Sequence, residues 1–247
     1  MKSSILISTL AICSFLASTS MAGEKAHWGY SGAEGPDHWA DLDAAYGVCS
    51  GGRNQSPIDL AGLVDAELAA VEFSYGANAT EILNNGHTVL DNFPTGNSIT
   101  TGRQRSELKQ VYFHAPGENT VEGRSFAMEA YFVHADGDGN LAVIGVMLDT
   151  GEENEALAAL WRQMPEEEGV RYALSSGFGA LNLLPDGKAY YRFNGSLTTP
   201  PCSEGVWWHV MKDPVSVSEE QVNVFLHAVH HANNRPVQPV NARPISK

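Results

Sequence analysis

The sequence predicts a single, mostly β domain with a few surface helices. Several runs rich in β-branched and aromatic residues end at Gly, Pro or Asp turn signals, and 24 glycines are spread along the 247 residues. No internal repeat appears, and no Pro/Gly/Ser stretch is long enough to link two domains. A chain of this length with 43% hydrophobic residues can bury a sizeable core as one domain.

The first 22 residues are interpreted as a cleaved signal peptide. Lys2 supplies a positive start, residues 5–16 are short and mostly apolar, and small residues precede a cleavage point at Gly23. The domain is then expected to span residues 23–247, and the protein to be periplasmic or secreted. A buried N-terminal helix is the alternative.

Five runs in the body of the chain are predicted to be strands. They are residues 108–114, 126–134, 141–148, 189–193 and 206–211. The third run is nearly all apolar, which is typical of a central strand covered on both faces.

Two segments have helical patterns. Residues 152–164 place their large apolar side chains on one face, and Pro165 ends the pattern. Ser218 and Gln221 have the spacing of a capping box and predict a second helix that starts there.

Cysteine and charge content limit the class of protein. Removal of the signal peptide would leave Cys49 and Cys202, an even pair that is expected to form a disulfide after export; two buried free thiols are the alternative. The formal charge of −14 argues against nucleic-acid binding, which needs a basic surface. No apolar run reaches the ~18–20 residues of a membrane-spanning helix.

Five motifs carry a resemblance to a known family. They are His27-Trp28-Gly29-Tyr30, Asn54-Gln55-Ser56-Pro57-Ile58, Asn84-Asn85-Gly86-His87, Ser196-Leu197-Thr198-Thr199-Pro200-Pro201-Cys202 and Asn234-Arg235-Pro236-Val237-Gln238-Pro239. With these motifs in this order, the chain resembles α-class carbonic anhydrases of the secreted bacterial type from about His27 to the C-terminus. The resemblance implies a twisted, largely antiparallel sheet of about ten strands, reversible hydration of CO2 to bicarbonate, and a disulfide at Cys49 and Cys202.

The resemblance also implies a zinc ion held by three histidines, and here the sequence departs from the family. Two ligands two residues apart share one face of a strand, and a neighbouring strand supplies the third. In this chain His114 stands at one ligand position, whereas Tyr112 and Tyr131 stand at the positions of the other two. His134 cannot replace Tyr131, because it lies three residues further and should face the opposite side.

The other site positions of the family are matched. Glu118 and Thr198 correspond to the pair that orients the zinc-bound hydroxide, and Thr199 is a further catalytic position. His87 corresponds to the proton shuttle, which needs a group that titrates near neutral pH. The apolar wall that holds CO2 corresponds to Val133, Val143, Leu197 and Trp208, and the partners of the two lost ligands correspond to Gln110 and Glu129. Taken singly, each would pass for an ordinary core or surface residue.

These matches lead to one leading expectation and two alternatives. A phenol binds metal well only as phenolate, and its oxygen lies about 2 Å further from Cα than an imidazole nitrogen. We therefore expect a pseudoenzyme or binding protein without tightly bound zinc, with CO2, bicarbonate or another small ligand in the cone. One alternative is a carbonic anhydrase still active through a remodelled, metal-poor or non-zinc site. The other is Fe(III), which two phenolates and an imidazole suit better than zinc.

Overall fold

The computed structural model describes residues 26–175 and 177–247. The expected signal peptide and its cleavage point lie outside the described residues. The helices are α1 (Trp39–Leu42), α2 (Val48–Gly51), α3 (Glu155–Trp161) and α4 (Glu219–Val229). The strands are β1 (Asp59–Leu60), β2 (Val71–Tyr75), β3 (Glu81–Asn84), β4 (Val89–Asn92), β5 (Asn97–Thr101), β6 (Gln104–His114), β7 (Thr120–Val121), β8 (Met128–Ala135), β9 (Leu141–Thr150), β10 (Arg171–Ala173), β11 (Tyr190–Ser196), β12 (Glu204–Met211) and β13 (Val215–Val217).

Eleven of the described strands form one large sheet. Its main path runs in the order β10-β3-β4-β6-β8-β9-β12-β11, with β13 beside β9, and β5 joining β2 to β6. The pairs β9–β12 and β9–β13 are parallel, and the other pairs of this sheet are antiparallel. The predicted mostly β class and largely antiparallel sheet are therefore confirmed.

Each of the five predicted strands overlaps an observed one. The longest, β6, begins four residues earlier than predicted, whereas β9 runs two residues beyond its predicted end. The apolar β9 pairs with β8 on one edge and with β12 and β13 on the other, and its side chains enter the core on each face of the sheet, which explains why they are buried on both faces.

Both predicted helices are present, and the first is shorter than its apolar pattern. α3 begins after Asn154, whose side chain accepts a hydrogen bond from the Leu157 amide. α4 has the predicted capping box, in which Ser218 and Gln221 each accept from the other's backbone amide. A Ser, Thr, Asn or Asp cap satisfies amides that the first helical turn leaves free, so these residues fix where each helix starts.

The sheet packs a separate core on each face. The larger core, under α3 and α4, contains Val111, Phe113, Phe132 and Phe225. The smaller core, on the opposite face, contains Tyr131, Val143, Trp208 and Val210. Successive residues of one strand thus belong to different cores, as the alternation of side chains along a strand requires.

A third cluster ties the N-terminal segment to the sheet. The cluster contains Trp39, Tyr46, Cys49 and Cys202, with Trp28 and Tyr30 packed against it. The expected disulfide between Cys49 and Cys202 is present and joins residues 153 apart in sequence. It therefore holds the N-terminal segment against the turn between β11 and β12.

In the described part of the chain, no helix is both long and apolar enough to span a membrane.

Candidate active-site cavity

The aromatic triad of Tyr112, His114 and Tyr131 forms where β6 and β8 pair. Tyr112 lies directly opposite Tyr131 in the antiparallel register, and His114 lies two residues along β6 on the same face. The ring centroids of Tyr112 and Tyr131 are 5.7 Å apart, and that of His114 lies 5.5 Å from Tyr112 and 4.9 Å from Tyr131. The structure thus brings together the three side chains that the sequence predicted to meet.

A cavity of about 240 Å³ opens above this triad. It is called the cone cavity below, and it is lined by Trp28, Tyr30, Asn85, His87, Thr88, Leu90, Gln110, Tyr112, His114, Val133, Leu197 and Thr199. A larger groove of about 530 Å³ lies beside α3 and α4, but it contains none of the residues matched to the family's site. The cone cavity is therefore the candidate active site.

Tyr131 does not line the cone cavity. Its ring is fully buried and packs edge-on against Trp208, with centroids 4.7 Å apart. Its hydroxyl donates to Glu129 Oε2 at 3.0 Å and accepts from Asn119 Nδ2 at 3.2 Å. The phenol oxygen is therefore hydrogen-bonded within the protein.

Glu129 is a buried carboxylate with four hydrogen-bond donors. Besides Tyr131, it accepts from the backbone amides of Glu118 and Asn119 and from Asn119 Nδ2, each at 2.9 Å. Burial raises the pKa of Glu129 to about 7, while the bonds from Asn119 act in the opposite direction. Both carboxylate oxygens of Glu129 therefore have hydrogen-bond donors.

His114 is held at one ring nitrogen and open at the other. Its Nδ1 donates to the backbone carbonyl of Asn233 at 2.6 Å. Its Nε2 lies 3.4 Å from Glu118 Oε2, and burial lowers the pKa of His114 to about 4. A separation of 3.4 Å is longer than the ~2.7–2.9 Å of a charge-assisted hydrogen bond.

Glu118 and Thr198 lie side by side. Glu118 Oε1 accepts from the Arg235 amide at 2.8 Å. Burial raises the pKa of Glu118 to about 7, and hydrogen bonds from the Arg235 amide and from the Thr198 and Tyr131 hydroxyls act in the opposite direction.

The apolar wall matched to the family divides between cavity and core. Val133 and Leu197 line the cone cavity. Val143 and Trp208 are almost completely buried in the core with Tyr131 and do not line it. The Tyr131 ring contacts Trp208 within this core.

The remaining matched residues, Gln110, Thr199 and His87, also line the cone cavity. Gln110 donates to Asn92 Oδ1 at 2.9 Å, and Thr199 lines the wall. His87 stacks on Trp28 with ring centroids 3.7 Å apart, and burial together with His27 lowers its pKa. His134 faces the opposite side of the sheet, as expected, and Tyr75 bonds its Nε2 at 2.7 Å.

Sequence reasoning missed several residues that build the site. Arg235 is buried, and its guanidinium donates to Gln55 Oε1 and to the carbonyls of Ser56 and Cys49. Asn119, Asn233 and Tyr30 were also not assigned roles, although Arg235, Gln55 and Tyr30 lie in the motifs that carried the resemblance. Their position within these motifs is the sequence signal that could have identified them as site residues.

The donor set does not fit the zinc ion that the fold family implies. Three neutral nitrogens normally hold a catalytic zinc, and here His114 Nε2 is the imidazole nitrogen facing the cavity base. Among residues 26–175 and 177–247, no group of three or more His, Cys, Asp or Glu side chains is placed to hold a metal.

Comparison with known proteins places the chain in a family. The model of the eukaryotic-type carbonic anhydrase family matches residues 34–247. A carbonic anhydrase of Pectobacterium atrosepticum is 40% identical over 245 residues, 99% of each chain. The α-carbonic anhydrase of Thermovibrio ammonificans, solved with the inhibitor sulfanilamide, is 48% identical with a TM-score of 0.88, over 90% of this chain and 99% of that one. Dioscorin solved with ascorbate is 31% identical with a TM-score of 0.82, over 89% of this chain and 97% of that one. The chain therefore belongs to the eukaryotic-type carbonic anhydrase family.

Proposed function

We propose that this protein is a carbonic anhydrase homologue that has lost zinc-hydroxide catalysis and acts as a binding protein through its cone cavity. The observation that carries the proposal is the environment of Tyr131. Its hydroxyl is bonded to Glu129 and Asn119, so the oxygen at a ligand position is already used within the protein. His114 is then left as one nitrogen where a catalytic zinc needs three.

The same arrangement argues against Fe(III). Iron would need the phenol oxygens as phenolates, and the Tyr131 oxygen is a donor to a carboxylate. Burial, together with the charges of nearby carboxylates, raises the pKa of both Tyr112 and Tyr131.

A binding role is supported by the cavity that remains. The cone cavity keeps both apolar and polar lining residues, as small-molecule sites usually do. Dioscorin, a member of the same fold, has been solved with ascorbate, so the fold can present a small polar molecule to a protein site. CO2, bicarbonate or another small ligand is the proposed occupant.

A second candidate is a carbonic anhydrase that remains active through a remodelled site. The retained Glu118, Thr198 and His87 favour it, as do relatives such as the 40% identical Pectobacterium atrosepticum carbonic anhydrase. Both candidates share the fold and the cavity, so metal content and hydration rate separate them.

The test restores the two imidazoles. Tyr112→His combined with Tyr131→His should bind about one zinc per chain and hydrate CO2 rapidly, because Glu129, Gln110, Thr198 and Glu118 remain in place. Neither single reversion should suffice, since two nitrogens do not complete the site. Zinc stoichiometry and stopped-flow CO2 hydration are measured for four proteins: unmutated, each single variant and the double variant.

Two outcomes of this comparison are decisive. If the unmutated protein already matches the double variant in rate, the proposal is wrong and the second candidate is right. If the unmutated protein stays inactive while the double variant gains zinc and activity, the two phenols account for the loss.

We also propose that the mature protein consists of residues 23–247 and is periplasmic or secreted. The Cys49–Cys202 disulfide supports an oxidising compartment, and relatives such as the carbonic anhydrases of Pectobacterium atrosepticum and Neisseria gonorrhoeae are bacterial proteins. N-terminal sequencing of the protein recovered from an expressing bacterial host should begin at Gly23. A sequence that begins at Met1 in the cytoplasmic fraction would contradict it.

A further inference from the structure

A second cavity lies beside β11, the strand at one end of the main sheet path. It has a volume of about 210 Å³ and is called the arginine pocket below. Its polar lining residues are Arg192 and Asn194 of β11, Arg243 and Ser246 of the C-terminal segment, and Asn54 of the loop before β1. It shares no lining residue with the cone cavity, and none of its lining residues is acidic.

The two segments that carry the arginines are fixed to each other. The Arg192 amide donates to the Ser246 carbonyl at 2.9 Å, and the Ser246 amide donates to the Arg192 carbonyl at 2.9 Å. The Arg243 guanidinium donates through Nε, Nη1 and Nη2 to three backbone carbonyls at 3.0, 3.0 and 2.9 Å. Three of its five N–H groups are therefore used to hold it in place, and two remain for a ligand.

The Arg192 guanidinium is oriented by stacking rather than by hydrogen bonds. It lies 4.7 Å above the centroid of the Trp207 ring and makes no hydrogen bond or ion pair within residues 26–175 and 177–247. An aromatic ring holds the flat face of a guanidinium and leaves the N–H groups at its edge free. Arg192 therefore presents a planar fork of donors whose partner would come from outside the chain.

The charge of the arginine pocket is opposite to that of the molecule. The chain has a formal charge of −14, yet neither Arg192 nor Arg243 forms an ion pair in the described part of the chain. Glu204 is the carboxylate whose charge reaches Arg243, but its Oε1 already accepts from the Asn54 amide and from Gln55 Nε2. Burial lowers the pKa of Arg243, which shows that water solvates this cation incompletely. The pocket therefore favours an anion.

We propose that the arginine pocket binds a tetrahedral oxyanion, inorganic phosphate or the phosphate group of a small monoester, between Arg192 and Arg243. Arginine forks match phosphate oxygens in a bidentate manner, and two cations suit a group with nearly two negative charges. The donors converge from three segments of the chain, an arrangement that a tetrahedral group can satisfy better than a flat carboxylate. The proposal does not depend on the zinc content of the cone cavity.

Four anions separate charge from shape. The full mature chain is titrated calorimetrically with phosphate, glycerol phosphate, malonate and acetate at pH 8 and constant ionic strength. Phosphate should bind at least tenfold more tightly than acetate and at least fivefold more tightly than malonate, a dianion of different shape. Malonate or acetate equal to phosphate, or no phosphate binding, would overturn the proposal.

Glycerol phosphate distinguishes the two sources of the phosphate group. An affinity within tenfold of that of inorganic phosphate supports binding of a phosphate monoester. A larger loss supports binding of the free ion.

Variants locate the anion in the arginine pocket. Arg192→Gln should weaken phosphate binding about tenfold or more and keep the fold, because this guanidinium has no hydrogen bond to lose. Arg192→Lys should weaken it several-fold, since it keeps the charge without the fork. Glu204→Gln should strengthen it several-fold, because it removes the opposing charge and keeps an acceptor for the Asn54 amide.

Arg105→Gln is the matched control, because Arg105 is exposed on β6 and does not line the pocket. Its phosphate affinity should stay within twofold of that of the unmutated protein. A loss equal to that of Arg192→Gln would reduce the effect to net charge and overturn the proposal, as would phosphate binding that Arg192→Gln leaves unchanged. If Arg192→Gln does not fold, Arg192→Lys and Glu204→Gln still decide.

Discussion

At the scale of single residues, the proposed function assigns Tyr131 to a position where the family has a ligand imidazole, and the phenol there still makes a hydrogen bond to Glu129. An imidazole at a family ligand position uses one nitrogen for the metal and the other for a partner such as Glu129. The phenol has a single oxygen, and this oxygen bonds to Glu129 and Asn119. The Glu129 carboxylate therefore keeps its hydrogen bonds, whereas Tyr131 offers no metal-binding nitrogen.

Tyr131→Phe tests how much this bond contributes. Glu129 would keep three donors, so the free energy of unfolding should fall by about 1 kcal/mol rather than by the larger cost of an unpaired charge. Urea unfolding measures the change, and Tyr30→Phe is the control because its buried hydroxyl has no hydrogen-bond partner among the described residues. An equal effect of the two variants would show that the Tyr131 bond adds nothing to stability.

Asp91 is a second buried residue whose substitution should change the free energy of unfolding. It lies on β4 between Ile82 and Val111, both in the larger core, and neither of its carboxylate oxygens has a hydrogen-bond partner in the described residues. Burial raises the pKa of Asp91 well above its usual range. Asp91→Val should therefore increase the free energy of unfolding at neutral pH by about 1–3 kcal/mol.

The pH dependence of stability gives an independent check on Asp91. The folded state holds this proton more tightly than the unfolded chain, so this contribution to stability is fully present below about pH 4 and is lost as pH rises through the higher folded pKa. Asp91→Val should remove that part of the slope, and Asp91→Asn should remove it while keeping the side-chain shape. Denaturant midpoints measured across pH would contradict this interpretation if all three proteins changed in parallel.

Which residues share a face could be predicted from the sequence, whereas the bonds they make could not. The two-residue period of a strand was enough to place Tyr112 and His114 together and His134 on the other side. The partners of Tyr131 depend on Asn119, which lies in the turn before β7 and has no periodic signal. The direction in which a buried hydroxyl points depends on groups outside its own strand, and the strand period does not predict them.

At the scale of elements, the sequence predicted the long central strands but not the short outer ones. β6, β8 and β9 have 8 to 11 residues and clear patterns. β3, β4 and β10 have three or four residues each, too few for periodicity to separate them from a loop. The helix predicted over 152–164 begins at Glu155, because Asn154 caps it, and ends at Trp161.

The N-terminal segment leads to a prediction about the disulfide. Cys49–Cys202 joins the cluster of Trp39 and Tyr46 to the turn after β11, and Trp28 and Tyr30 of the same segment line the cone cavity. Closing a loop of this length contributes roughly 4–5 kcal/mol in the chain-entropy model. The double variant Cys49→Ala, Cys202→Ala should therefore unfold at lower denaturant and show faster amide exchange in residues 26–52.

Thiol titration completes this test. The unmutated mature protein should show no free thiol under denaturing, non-reducing conditions, and two thiols per chain would contradict the disulfide. An unchanged exchange rate in the N-terminal segment of the alanine variant would show that packing of Trp39 alone holds it in place.

At the scale of the whole molecule, two cores and a cross-linked N-terminal segment support the cavity. The Glu129 network is complete, and the larger core lies on the far side of the sheet from the triad. A ligand that binds only the folded state raises its stability by mass action, by about 2.7 kcal/mol at a concentration of 100 Kd. A protein that does not bind zinc should show no such increase.

Thermal unfolding with and without zinc follows from this argument. The melting temperature of the unmutated protein should be the same in chelator and in excess zinc, because its donor set offers zinc one imidazole. The Tyr112→His, Tyr131→His variant should melt several degrees higher in zinc than in chelator, since three imidazoles then face one point. Magnesium serves as the control ion, because it prefers oxygen ligands and should raise neither melting temperature. A zinc-dependent rise in the unmutated protein equal to that of the double variant would show that the phenols do not prevent metal binding.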